Sequence, residues 1–184
     1  MFKPLYWYHG NITFPDQEVE QVIKELEKLG EELIKREDAI SSYYLKIHSR
    51  PDKIWQSKYE EIVEEITDSI GIQKTSKYTW DYWTQLYFSK NRHNAHHHFN
   101  GTATLSFVHF IKPTDENSFV FLDNYGNDYV LPEQREGDIV CFPSYIWHRV
   151  KPLKSGRRFV VAGNIEILHQ DRHYWDLNLW KLKT

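Results

Sequence analysis

Cysteine, methionine and long apolar runs are nearly missing from this chain, and each scarcity excludes something. One cysteine and one methionine stand among 184 residues. A lone thiol, Cys141, cannot close an intrachain disulfide, which rules out a small disulfide-stapled scaffold and points to a reducing compartment. No run of eighteen apolar residues occurs, and the opening MFKPLYWYHG has no apolar stretch of signal-peptide length. A soluble, cytoplasmic protein without a membrane segment is expected. Basic residues are not in excess either: 23 Lys and Arg against 26 Asp and Glu give a net charge of −3. That balance argues against a general nucleic-acid binder, whose affinity rests on a basic surface that neutralises phosphates. The charge is uneven, with 15 acids and 10 bases over residues 1–75 against 11 acids and 13 bases over 76–184.

Aromatic residues are plentiful, at 16% with seven Trp and twelve Tyr, which excludes intrinsic disorder and suits a sheet-rich fold that packs large rings. The length fits one domain, 1–184. From Asp16 to Arg36 apolar residues fall at Val19, Val22, Ile23, Leu26, Leu29, Leu33 and Ile34, one face of a helix that starts after Pro15. A second run, Lys53 to Ile70, puts Ile54, Trp55, Ile62, Val63, Ile66 and Ile70 on one stripe and stops at Gly71. After Thr79 the pattern shortens, and strands are expected near residues 80–88, 103–111, 118–123, 128–131, 138–142, 147–151 and 158–168. DNYGND and KSGR supply turns. Two helices before about seven short strands reads as α+β, mostly β, with the helices packed on a β-sandwich or jelly roll.

Histidine is the concentrated residue. NRHNAHHHFNG, Asn91 to Gly101, holds four of the chain's ten histidines within six positions. In an extended segment residues i and i+2 share a side, so His96 and His98 can converge while His97 turns away. The best candidate for a third ligand is His148, which opens a later strand after EGDIVCFPS has returned the chain toward the same end. Three imidazoles leave open positions on a first-row metal for substrate, water or oxygen. The competing reading is a solvated run or polar rim of histidines.

At YFSKNRHNAHHH and EGDIVCFPSYIWHRVKPLKSGRRFVVAGN the sequence resembles the 2-oxoglutarate- and Fe(II)-dependent oxygenases, in particular the small prolyl-hydroxylase-like group of bacteria and phages. The resemblance spans about residues 78–166 and rests on separated features in order. A Tyr nine residues before the first ligand opens the motif, as Tyr87 precedes His96. The superfamily's His-x-Asp pair falls on His96 and His98, and TLSFVHFIKP follows. The distal ligand matches His148, introduced by Gly137, Asp138, Phe142, Pro143 and Ser144. The basic residue that grips the distal carboxylate of 2-oxoglutarate matches Arg158.

The resemblance implies a double-stranded β-helix, jelly-roll or cupin-like, over residues 78–168, with the helices of 1–75 outside one sheet and 169–184 as an extension. It implies Fe(II) and 2-oxoglutarate as cofactors, O2 as co-reactant, and hydroxylation of a C–H bond in a prolyl-like peptide or small molecule as the cosubstrate is decarboxylated to succinate. In a phage-encoded member the compartment would be the host cytoplasm. Two departures stand out. His98 replaces the carboxylate ligand, leaving a more positive site. The usual Arg-x-Ser clamp is lost, because Phe159 and Val160 follow Arg158, so Tyr87 or Ser106 would supply the hydroxyl.

Roles follow residue by residue. His96, His98 and His148 are the expected ligands, whereas Asn100 is a poor one as a neutral amide. Arg158 is expected to bind the cosubstrate, with Tyr87, Asn94 and Ser106 as further contacts, and Arg157, of opposite parity, to face outward. His93 and His97 are expected in solvent or behind the ligands. Lys90, Arg92, Arg149, Lys151 and Lys154 form either a basic rim around a mouth or an ordinary solvated surface. Trp80, Trp83 and Trp147 are expected to pack, Trp147 also as a pocket wall. Two alternatives remain: a cupin-like three-histidine dioxygenase that needs no cosubstrate, and a non-catalytic β-sandwich binding module.

Overall fold

A change of hydrophobic period, from 3.6 to 2, divides the chain into a helical layer and two facing sheets. The computed structural model describes residues 6–33, 39–72, 77–98, 102–114, 117–131 and 134–168. The first strand, β1 (Tyr8–Asn11), precedes helix α1 (Asp16–Leu33); β2 (Ile40–Ser41) and three short 3-10 turns, the last Pro51–Trp55, lead into α2 (Gln56–Ile70). Then come β3 (Lys77–Phe88), β4 (His93–His96), β5 (Leu105–Lys112), β6 (Phe119–Leu122), β7 (Asp128–Val130), β8 (Asp138–Pro143), β9 (His148–Val150) and β10 (Arg157–Leu168). The larger sheet runs β1-β8-β5-β10-β3-β2 and the smaller β4-β9-β6-β7, all antiparallel.

The seven expected strands lie where the alternation put them. β1, β2 and β4 were not among them, being short or embedded in polar sequence. The expected helix end at residues 34–36 and the extension 169–184 lie outside the described residues.

Alternation decides what each face of the larger sheet meets. Phe159, Val161 and Ile165 on β10, with Phe107, Ile139, Cys141, Tyr82 and Leu86 from neighbouring strands, pack under the helices. Val19, Val22, Ile23 and Leu26 of α1 and Tyr59, Ile62, Val63 and Ile66 of α2 close that layer. Each such side chain contributes about 1.5–3 kcal/mol on burial. Ile54 departs from the expected stripe and is exposed, because the 3-10 turn before α2 changes the angular step between residues. The opposite face, with Tyr87, Val108, Phe110, Val140, Phe142 and Val160, packs on Phe119, Phe121 and Val150 of the smaller sheet. At Gly163 an added Cβ would overlap the Phe107 ring, so the strand is bare where that ring crosses it. No described helix is long and apolar enough to cross a membrane.

His109 sits wholly buried in the helix-facing layer. Its Nε2 lies 2.7 Å from the Ile12 carbonyl oxygen and its Nδ1 2.8 Å from the Tyr59 hydroxyl. The carbonyl can only accept, so Nε2 carries the proton and Nδ1 accepts from Tyr59. Burial pulls this imidazole down to about 4 from 6.5. A lowered basic pKa means that the unfolded chain takes up the proton first. Stability from this group is therefore full above about pH 6.5 and falls by roughly 3 kcal/mol as the pH drops to about 4. Urea unfolding of His109→Gln should show a flatter pH dependence than the parent over that window; identical slopes would contradict the assignment.

Candidate metal centre and its cavity

His96 on β4 stands directly opposite His148 on β9. The same two strands pair His93 with Val150, so three steps on β4 match two on β9 and one residue bulges out. The bulge turns Asn94 and Ala95 to solvent and puts His93 on the same side as His96, with rings stacked at 4.3 Å. His98 lies two residues past His96, its backbone N–H donating to the Ser144 carbonyl at 2.8 Å. Ring nitrogens of His96, His98 and His148 all lie within 4.8 Å of one another. Ring centroids are 4.3 Å apart for His96 and His148, 5.1 Å for His96 and His98, and 5.3 Å for His98 and His148.

The protein holds these rings ready to ligate. Nδ1 of His96 lies 2.8 Å from the Asn94 carbonyl oxygen and Nδ1 of His148 lies 2.9 Å from that of Ile146. Each must be an Nδ1–H donor, so that in the neutral ring the lone pair sits on Nε2, the nitrogen that would ligate a metal. Burial, then the neighbouring imidazoles of His96, His93 and His97, draws His98 down to about 4. Burial and then His96 hold His148 well below the ordinary histidine range. Neutral imidazole is the ligating form. Phe142 and Phe119 pack on His148 at 5.0 and 5.6 Å and keep that side apolar.

The three histidines line a cavity of about 210 Å³ with Arg158 in its wall. Arg158 is 1% exposed, faces Tyr87 across the β10–β3 pair, and has its guanidinium 5.5 and 5.4 Å from the Tyr87 and Phe110 ring centroids. Its Nε, Nη1 and Nη2 are buried and have no hydrogen-bond partner among the described residues. Burial lowers its pKa to about 10, with Tyr87 opposing, so it stays charged at neutral pH. Among the described residues no Asp or Glu lines the cavity. A buried cation with its donors unmade is costly, and the partner that relieves it must be an anion brought by a ligand. Three clustered imidazoles, two of them held neutral by burial, and one guanidinium without a partner among the described residues thus fit a divalent metal with a carboxylate-bearing cosubstrate.

No protein-family model matches the chain, and no curated protein matches it. Solved structures do match. A prolyl-4-hydroxylase from Pseudomonas putida superposes with a TM-score of 0.63 at 13% identity, over 87% of this chain and 92% of that one. The viral collagen prolyl hydroxylase of Paramecium bursaria Chlorella virus-1, in its 2-oxoglutarate complex, gives 0.57 at 15%, over 88% and 97%. A Trichoplax adhaerens prolyl hydroxylase, in complex with a hypoxia-inducible-factor peptide fragment, gives 0.61 at 10%, over 86% and 82%.

This is the prolyl-hydroxylase-like oxygenase fold.

Within the oxygenase fold most of the expected site residues meet. His96, His98, His148, Arg158, Tyr87 and Ser106 all line the one cavity, whereas Asn94, exposed by the bulge, offers only its backbone carbonyl. The two candidate hydroxyls separate. Tyr87 is paired with Arg158, while Ser106 pairs with Asn164, six residues further and roughly 20 Å of backbone along β10. The Tyr87 hydroxyl donates to Gln85 Oε1 at 2.9 Å.

Arg157 faces outward to Glu20 and Glu27, and His97 turns away to Trp147 at 4.5 Å between ring centroids. Trp147 is exposed and outside the cavity; Trp83 lines it instead, because its strand position shares the parity of Tyr87. The basic rim is partly neutralised, since Arg149 and Lys151 both pair with Asp128. Asn100 lies outside the described residues. Sequence reasoning placed His93 in solvent or behind the ligands and missed its place in the cavity wall, which the bulge hides. It also missed Gln85 and Asn164, which parity with Tyr87 and Arg158 could have found.

Proposed function

We propose that the chain is an Fe(II)- and 2-oxoglutarate-dependent oxygenase built on a double-stranded β-helix, acting on a C–H bond of a peptide or small molecule. The observation that carries this reading is buried Arg158, which has no hydrogen-bond partner among the described residues, in the same cavity as His96, His98 and His148. His96, His98 and His148 would hold the metal. Bound Fe(II) with 2-oxoglutarate supplies the hard chemistry, oxygen-dependent hydroxylation coupled to decarboxylation to succinate.

The chain contributes placement and charge. Arg158 presents a planar fork suited to two parallel charge-assisted hydrogen bonds with the distal carboxylate. Tyr87, paired with Arg158, would supply the hydroxyl that the usual clamp lacks here. The Nδ1 bonds of His96 and His148 to carbonyls fix ring orientation, and the phenylalanines around His148 exclude water. With His98 in place of a carboxylate the ligand set is neutral, which strengthens the pull on a dianionic cosubstrate.

The test is oxygen-dependent succinate formation by the purified protein. Turnover is expected only with Fe(II) and 2-oxoglutarate both present. Oxygen consumption that persists without 2-oxoglutarate would favour the cosubstrate-independent dioxygenase, and no turnover with metal bound would favour the binding module.

A further inference from the structure

The interior face of β10 carries Arg158, Val160, Ala162 and Asn164 in sequence, and all four line the cavity. Trp83, which pairs with Ala162, lies 6.5 Å from His98 between ring centroids, and Phe142, which packs on His148, pairs with Ser106 beside Asn164. The histidines therefore stand level with the Ala162–Asn164 end. An extended five-carbon diacid reaches roughly 5 Å between its end carbons. Running from Arg158 toward the metal, it leaves the Asn164 end open.

That end has a fixed polarity. The Ser106 hydroxyl donates to Asn164 Oδ1 at 2.8 Å, so the Ser144 hydroxyl, 3.0 Å from Ser106, donates in turn to Ser106. The relay occupies the acceptor side of the Asn164 amide and leaves Nδ2, which has no acceptor among the described residues, as the donor toward the cavity. Trp83 and Tyr43, edge-on at 5.0 Å, wall the same end. Among the described residues no carboxylate lines the cavity, and that of Asp81, opposite Asn164 on β3, is taken up by Arg50 at 2.8 Å.

We propose that Asn164 is a specificity-determining residue of the primary-substrate subsite, donating through Nδ2 to a carbonyl oxygen of an amide or carboxylate, and that the subsite rejects amines. This rests on the oxygenase reading and adds the substrate's chemical class to it.

The test uses the full chain loaded with Mn(II) and saturated with 2-oxoglutarate, and reads paramagnetic relaxation of three probes: N-methylacetamide, acetate and isopropylammonium. At least one carbonyl probe should relax about fivefold more than the ammonium. The more strongly relaxed of the two carbonyl probes tells an amide substrate from a carboxylate one. In Asn164→Leu the preference should vanish while the dissociation constant for 2-oxoglutarate stays within about twofold. Equal relaxation of all probes in the parent protein, or a preference that survives Asn164→Leu, overturns the subsite. A large loss of 2-oxoglutarate affinity in that variant also overturns it, assigning Asn164 to the cosubstrate. Metal and cosubstrate binding are read from water-proton relaxation in the same samples. Their absence overturns the oxygenase reading and the subsite together, whereas their presence without discrimination overturns the subsite alone.

Discussion

Arg158→Met is expected to make the ligand-free protein more stable while removing its hold on 2-oxoglutarate. The two effects share one cause. In the ligand-free chain the guanidinium is buried, charged and without a hydrogen-bond partner among the described residues. An apolar side chain of similar length ends that penalty and should raise the unfolding free energy by about 1–3 kcal/mol. With cosubstrate present the sign reverses, because a bidentate charge pair is lost and the carboxylate is left in an apolar pocket. Removing one partner of such a pair costs about 2–5 kcal/mol, at least thirtyfold in affinity. Urea unfolding of the metal-free protein and calorimetric titration of the Mn(II)-loaded protein with 2-oxoglutarate read the two halves separately. A destabilised variant that still binds 2-oxoglutarate normally would show that Arg158 is a structural residue.

The second large effect concerns the ligands. His98→Ala and His148→Ala should each weaken Fe(II) binding by roughly 100-fold or more, since even loss of a supporting hydrogen bond behind a ligand costs 10–100-fold. Succinate formation should fall with it. His97→Ala is the matched control, because that ring leans on Trp147 and is outside the three-histidine group. Metal titration of the three variants decides the point. Equal losses in all three would mean a diffuse histidine rim rather than a single centre.

Much of this was legible in the sequence because strand alternation is a rigid rule. It put Arg158 inward and Arg157 outward, and it joined His96 to His98. It also placed Val160 and Phe159 on opposite faces of β10, in the two separate hydrophobic layers the structure contains. What stayed hidden depends on departures from that rule or on long-range pairing. The bulge on β4 reverses the parity of His93 and Asn94, exchanging a residue expected outside for one expected inside. Ser106 and Tyr87 look equally suitable in sequence, and only the register of β5 and β3 against β10 shows that one adjoins Arg158 and the other does not. Short edge strands such as β1 and β2 are too brief to carry a pattern, and they form because the edges of a larger sheet are there to pair with.

The most direct measurement is anaerobic addition of 2-oxoglutarate to the Fe(II)-loaded protein, followed by visible absorption. A metal-to-ligand charge-transfer band should appear, saturate at one iron per chain, and be lost in His98→Ala. No band in the parent protein, or a band of undiminished strength in that variant, would contradict an iron centre held by His96, His98 and His148.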